Sequence, residues 1–202
     1  MLCYFYNTKT NEGVPMNIID MVESQVIASI KNEEAIDLAI KSQSNIAFLL
    51  TGDLTTCGQY VSKLKEAGMH VFIHLDFIDG LANSKSAVQY IANEWKPTGI
   101  ISTKSSLIKF AKEEGLMTIQ RIFLIDRAAV KKGVEMSRAC KPDAIEVLPG
   151  IMPKIIDQLS REVKLPLIVG GLITEKQEIM IALESGALAI STGNPTMWNY
   201  DL

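Results

Sequence analysis

The chain has 202 residues, 48% of them hydrophobic, and a formal net charge of −3. That is enough for one domain with a full core, and too acidic for a global field that draws in nucleic acid, so any such binding must come from a local patch. Cys3, Cys57 and Cys140 are scattered with no CxxC pair, which excludes a disulfide framework and a zinc site and suggests a reducing cytoplasm. No apolar run approaches the roughly 20 residues that span a bilayer. Residues 1–14 lack the basic start and apolar block of a signal peptide. Residues 1–16 read as a leader ahead of a single domain over 17–202.

Asn17 is placed to cap a short helix whose Ile18, Ile19, Met21 and Val22 form an apolar face, suited to plugging the bottom of a barrel. Residues 25–29 are the first strand, and Asn32 opens a helix with Ala35, Ile36, Ala39 and Ile40 at helical spacing. Residues 46–50 are the second strand, ending in Thr51-Gly52-Asp53. Cys57, Tyr60, Val61 and Leu64 make the buried stripe of the next helix, which stops at Gly68. Residues 71–74 are the third strand, followed by Leu75, Asp76 and a turn at Asp79-Gly80, and Ser84 opens the next helix. Residues 99–102 are the fourth strand; a helix carrying Leu107, Ile108 and Ala111 follows and closes at Gly115.

The fifth strand is 117–121, with a helix over 126–139. The sixth is 144–148, and Met152, Ile155, Ile156, Leu159 and Val163 form the stripe of its helix. Residues 166–169 are an apolar run suited to a strand buried on both faces. Gly170 and Gly171 let backbone N–H groups approach a ligand, and Thr174 to Gln177 has a capping-box pattern. Gly186 ends that helix in the left-handed region, and 188–190 is the eighth strand. Ser191, Thr192, Gly193 and Asn194 then expose hydroxyls and amides, and Asn194-Pro195 starts a short extra helix.

Eight strands alternating with helices, spaced about 20 to 30 residues apart, imply parallel pairing through right-handed crossovers. The expected fold is a compact α/β TIM barrel, (β/α)8, with a doubly wound open sheet as its rival. In a barrel the working residues lie at the C-terminal strand ends. That rule gathers Ser29, Lys31, His74, Asp76, Ser102, Lys104, Arg121 and Glu146 as a pocket, with Gly170, Gly171, Ser191, Thr192, Gly193 and Asn194 as a phosphate or anion site.

Arg121 and Lys104 suit a phosphate or carboxylate; equally, they can pair with Glu146 or Asp76 inside the mouth. His74 and Asp76 share a face if the strand continues, for acid–base work or simply to shape the pocket. Lys104 as a Schiff-base lysine, or the His74, Asp76 and Glu146 set, would make the chain a phosphosugar aldolase, isomerase or lyase. No metal site and no cofactor is expected. The one basic region of this acidic chain holds Arg121, Arg127, Lys131, Lys132, Arg138 and Lys141 against Asp126 and Glu135. It is either a solvated helix face or a phosphate-backbone footprint for RNA, and it has no interleaved aromatics for base stacking.

The stretches VIASIKNEE, VFIHLDFIDGL, KPTGIISTKSSLIKFAKEEGLMTIQRIFLID, KPDAIEVLPGIMPKII and PLIVGGLITEKQEIMIALESGALAISTGNPTMW resemble the glycerol uptake operon antiterminator family, from about Gln25 to Trp198. The resemblance implies a TIM-barrel regulator, not an enzyme, that binds glycerol 3-phosphate and acts in the bacterial cytoplasm on the mRNA leader of glycerol-utilisation genes. It implies phosphate on Gly170, Gly171, Ser191, Thr192, Gly193 and Asn194. Hydroxyls would meet Glu146, Asp76 or His74, with Arg121 and Lys104 near the mouth. The partners implied are glycerol 3-phosphate and RNA; no membrane is involved, and a homo-oligomer is left open. Family members commonly carry Ser or Thr after the Asp of FLID, where this chain has Arg127, which adds charge to the basic helix.

Overall fold

The computed structural model describes residues 17–200 and 202; the leader 1–16, with Cys3, lies outside the described residues. The strands are β1 (Val26–Ile30), β2 (Ile46–Leu49), β3 (His70–His74), β4 (Gly99–Ser102), β5 (Met117–Phe123), β6 (Ala144–Leu148), β7 (Leu167–Gly170) and β8 (Ala189–Thr192). Each is parallel to its neighbours in sequence order. β1 pairs with β8 through Val26 and Ile190, so the sheet closes and the open-sheet alternative is excluded. The helices are α1 (Ile18–Met21), α2 (Glu34–Ile40), α3 (Cys57–Glu66), α4 (Lys85–Tyr90), α5 (Ser105–Glu113), α6 (Arg127–Cys140), α7 (Pro153–Glu162) and α8 (Lys176–Glu184). A π-helical turn (Ile91–Trp95) extends α4, and 3-10 turns form at Leu75–Phe77 and Pro195–Asn199.

The strands are short, apolar and buried on both faces, as all-parallel strands are. Alternate residues divide the core in two. Ile27, Phe48, Phe72, Ile101, Ile119 and Ile168 fill the barrel interior, and their strand neighbours pack outward under the helices. Ile18 and Met21 of α1 join the interior group and plug the N-terminal end, each burial contributing roughly 1.5 to 3 kcal/mol. Ile19 points away to solvent, because a four-residue helix cannot turn three neighbouring side chains inward. The inward positions nearest the C-terminal mouth change from apolar to polar: Ser29, His74, Arg121, Glu146 and Ser191 follow their apolar predecessors at a two-residue step.

Two local expectations shift. The third strand stops at His74 and turns into the 3-10 segment, so Asp76 approaches His74 through a turn rather than along a strand face. The capping box of α8 forms one residue later than the pattern suggests, between Glu175 and Glu178. Glu178 Oε2 accepts from Thr174 N at 2.7 Å and Glu175 N at 3.1 Å, which satisfies donors of that helix start within the chain.

Candidate functional site

A cavity of about 740 Å³ opens at the C-terminal mouth. Its floor is polar, with Ser29, Arg121, Glu146 and Ser191, and its wall includes Lys31, Gly171, Thr192, Gly193 and Asn194. An apolar collar of Leu50, Phe77, Phe123, Leu148, Leu172 and Ile173 surrounds that floor. Leu50, Phe123 and Leu148 were legible by extending the two-residue alternation one step past Phe48, Arg121 and Glu146. Phe77 and Leu172 were not, since their positions depend on the 3-10 turn and on a left-handed backbone at Leu172 (φ 61°).

Arg121 and Glu146 occupy paired positions on β5 and β6. Arg121 Nε donates to Glu146 Oε2 at 2.6 Å, and Ser191 Oγ donates to Oε1 at 2.6 Å, so both carboxylate oxygens are engaged. Arg121 is 5% exposed and Glu146 fully buried, which makes this a charge-assisted pair in a low-dielectric floor. Arg121 also lines the cavity. Gly170 lies behind this network rather than on the cavity wall. A Cβ there would overlap Ser191 Oγ, so the glycine gives Ser191 the room to reach Glu146.

The loop after β8 holds its own shape. Asn194 N donates to Thr192 Oγ1 at 3.2 Å, Asn194 Oδ1 accepts from Thr196 N at 3.1 Å, and Trp198 Nε1 donates to Thr192 O at 2.8 Å. Buried Trp198 anchors the turn, and the polar atoms of Thr192 and Asn194 position the loop. The charge at this end comes from β1. Lys31 lies across Gly193, where a Cβ would come 2.9 Å from Nζ and 2.7 Å from Cε. A side chain at position 193 would have to push aside the far end of Lys31. Lys31 has no ion-pair partner among the described residues, so its ammonium is available to an anion in the cavity.

His74, Asp76, Ser102 and Lys104 form a separate cluster beside the cavity. Asp76 Oδ2 accepts from Thr103 N at 2.8 Å and Ser102 Oγ at 3.1 Å, and Oδ1 pairs with Lys104 Nζ at 3.1 Å. Burial pushes the Asp76 pKa up, but the Thr103 N–H and Lys104 outweigh it, and the net shift is downward. Asp76 thus ties the β3 end to the β4 end. His74 Nδ1 is 3.6 Å from Asp76 Oδ2, beyond hydrogen-bond reach. Burial, then the Arg121 charge, lowers the His74 pKa to about 3, so the ring is neutral.

The family profile described as glycerol-3-phosphate responsive antiterminator matches residues 26–198. The chain belongs to that family. A crystal structure of the glycerol uptake operon antiterminator regulatory protein from Listeria monocytogenes str. 4b F2365 superposes with a TM-score of 0.86 at 30% identity, covering 91% of this chain and 98% of that one. A glycerol uptake operon antiterminator-related protein from Thermotoga maritima MSB8 gives a TM-score of 0.75 at 28% identity, covering 86% and 96%. The uncharacterised protein YgcP of Escherichia coli (strain K12) is 35% identical over 176 residues, 87% of this chain and 92% of that protein.

In this antiterminator-family chain the basic residues lie on α6 and its C-terminal cap. Arg127, Lys131, Lys132 and Arg138 are exposed on the helix, and Lys141 is exposed at the cap. Arg138 reaches Glu162 at 3.8 Å, and the Lys141 carbonyl accepts from Lys112 Nζ. Arg127, Lys131 and Lys132 have no acidic partner among the described residues. α6 follows β5 directly, and Gly133 packs so closely on Ile122 that a Cβ would come 2.7 Å from Ile122 Cγ2. No helix of the described residues is long and apolar enough to cross a membrane.

Proposed function

We propose that this chain senses glycerol 3-phosphate in the barrel mouth and, in the ligand-bound state, binds the leader mRNA of glycerol-utilisation genes to prevent early termination. The observation that carries the reading is a cavity in an antiterminator-family barrel lined by Lys31 and Arg121, in which Lys31 has no acidic side-chain partner among the described residues. Phosphate would rest between Lys31 and the backbone at Gly171 and Gly193, and the glycerol end would face Arg121 and Glu146. Charge-assisted contacts of this kind are about twice as strong as neutral ones.

The RNA end of the reading rests on α6. Arg127, Lys131 and Lys132, which have no acidic partner among the described residues, form a local patch on a chain of net charge −3, suited to phosphate-backbone contact. β5 carries Arg121 and Phe123 into the cavity and continues directly into α6, and the contact between Gly133 and Ile122 leaves no slack between strand and helix. A ligand that binds two arrangements of this unit with different affinity would shift RNA binding. An enzymatic reading asks His74 and Asp76 for acid–base work. A histidine with a pKa near 3 and a carboxylate held by three hydrogen bonds and the Lys104 ion pair are poorly suited to it.

A gel shift on the glycerol-operon leader RNA, with and without glycerol 3-phosphate at two salt concentrations, tests the proposal. Ligand-dependent retention is expected. Ligand binding by calorimetry with no retention in either state would remove the RNA step, and turnover of a triose phosphate would replace it with an enzyme.

A further inference from the structure

The cavity is larger than its proposed effector needs. Its volume of about 740 Å³ lies in the range of roughly 300–1,000 Å³ that encloses a drug-sized molecule, well beyond a three-carbon phosphoester held by Lys31 and the polar floor. The remaining space lies within the apolar collar, and much of that collar faces water. Phe123 is 50% exposed at the end of β5, and Leu172 is 68% exposed in the left-handed region (φ 61°), which side chains rarely adopt. Ile125, one residue beyond the buried Leu124, is 86% exposed. Packing does not explain these three apolar side chains, since none is more than half covered.

The charge beside them indicates what covers them. Phe123 is separated from Arg127 by three residues, at most about 15 Å of backbone. Arg127 and Lys131 stand one turn apart on α6, both exposed, and neither has an acidic partner among the described residues. An apolar protein surface would leave those cations unmatched at its rim. Single-stranded nucleic acid matches both features, with a base on the aromatic face and phosphates along the cations. The basic helix carries no aromatic of its own, so its sequence pattern shows no stacking signal. The strand end ahead of it supplies the ring instead.

We propose that the Phe123 ring is a stacking platform for one unpaired base of the bound RNA, which enters the mouth above the effector while its flanking phosphates run onto Arg127 and Lys131. The inference rests on the reading of this chain as a ligand-responsive RNA-binding regulator. It adds the surface that holds a base and a route of control. The effector fills the floor beneath the base, so the two bind better together than apart. Coupling by direct contact is reciprocal, and the RNA raises effector affinity by the factor by which the effector raises RNA affinity. Stacking tolerates any base, so this contact supplies affinity and placement more than sequence choice.

The test is the affinity for the glycerol-operon leader RNA at saturating glycerol 3-phosphate, measured over a series of salt concentrations. Phe123→Ala is expected to weaken binding about tenfold at every salt concentration, the size of one base–ring stack, and Phe123→Tyr to restore it. The slope of log K against log salt should not move, because the ring neutralises no phosphate. Phe123→Leu keeps apolar bulk without a π face and should stay near the alanine value. Unchanged affinity in Phe123→Ala overturns the proposal and leaves the collar to a protein partner, while RNA binding by the unmodified protein keeps the regulator reading intact. Full affinity in Phe123→Leu also overturns it. No RNA binding by the unmodified protein overturns both readings. If the variants fail to fold, photocrosslinking of 5-iodouracil-substituted leader RNA to the unmodified protein decides the matter. The crosslink is expected on the tryptic peptide 122–127, which carries Phe123. Crosslinks confined to other peptides overturn the proposal.

Discussion

Arg121 and Glu146 face one another on adjacent strands with Nε 2.6 Å from Oε2, and a third side chain, Ser191, holds the other carboxylate oxygen. Removing one partner leaves a buried charge unmatched, whereas removing both removes the problem. Arg121→Leu is therefore expected to destabilise the fold by about 3 kcal/mol. Arg121→Leu combined with Glu146→Leu should recover most of that loss in urea unfolding. Both variants should lose ligand binding by calorimetry, since the polar floor is gone in each. Equal destabilisation in the single and double variants would mean that the pair packs the floor by shape and not by charge.

Lys31 offers a cleaner separation of binding from stability. It is exposed, it has no ion-pair partner among the described residues, and its stem lies along Gly193. Lys31→Met keeps that stem and removes the ammonium. Glycerol 3-phosphate affinity is expected to fall about tenfold, the size of one charge-assisted contact, with little change in Tm. Gly193→Ala should give a smaller loss, because the new Cβ displaces the far end of a flexible side chain rather than backbone. Affinity unchanged in Lys31→Met would move the anion away from the β1 and β8 ends.

The barrel was legible because its information is local. Short apolar runs, helical stripes and Gly or Asn punctuation set each element, and closure follows from eight parallel units. The C-terminal-end rule then brought Arg121, Glu146, Lys31 and Ser191 to one mouth. Pairing of Arg121 and Lys104 with Glu146 or Asp76 was one of the readings left open, and the structure takes it. Which cation takes which carboxylate depends on strand register and on the turn after β3, which hydrophobic periodicity does not encode. The role of Gly170 depended in the same way on Ser191, a residue on the next strand. Phe77 stayed hidden because a 3-10 turn breaks the two-residue rule just where the cavity wall forms.

The footprint on α6 makes a quantitative prediction. Arg127, Lys131 and Lys132 are exposed and unpaired among the described residues. If Lys131 and Lys132 each neutralise one phosphate, replacing both with Glu should lower RNA affinity and reduce the slope of log K against log salt by about 1.4 to 1.8, at 0.7 to 0.9 per contact. Glycerol 3-phosphate affinity measured without RNA should not change. An unchanged slope with normal ligand binding would place the RNA on another face.

Acid should weaken this fold through His74 before it reaches the carboxylates. Burial and Arg121 lower the folded-state pKa from 6.5 to about 3, while Asp76 pulls weakly the other way. Between those values the unfolded chain binds a proton that the native ring refuses, so stability falls as pH drops below 6.5. From pH 7 to 5 the contribution is about 2 kcal/mol. Asp76 has a lowered pKa, so its loss begins only near 3.8 and below, in a separate window. Urea unfolding of the unmodified protein and of His74→Gln at pH 7 and pH 5 isolates the effect, since His70 is common to both. The unmodified protein should lose about 2 kcal/mol more than the variant over that interval. Arg121→Leu should shrink the difference, because it removes the cation that opposes protonation. An equal loss in the unmodified protein and His74→Gln would mean that the ring takes up its proton in the native state, with Asp76 and not Arg121 governing its charge.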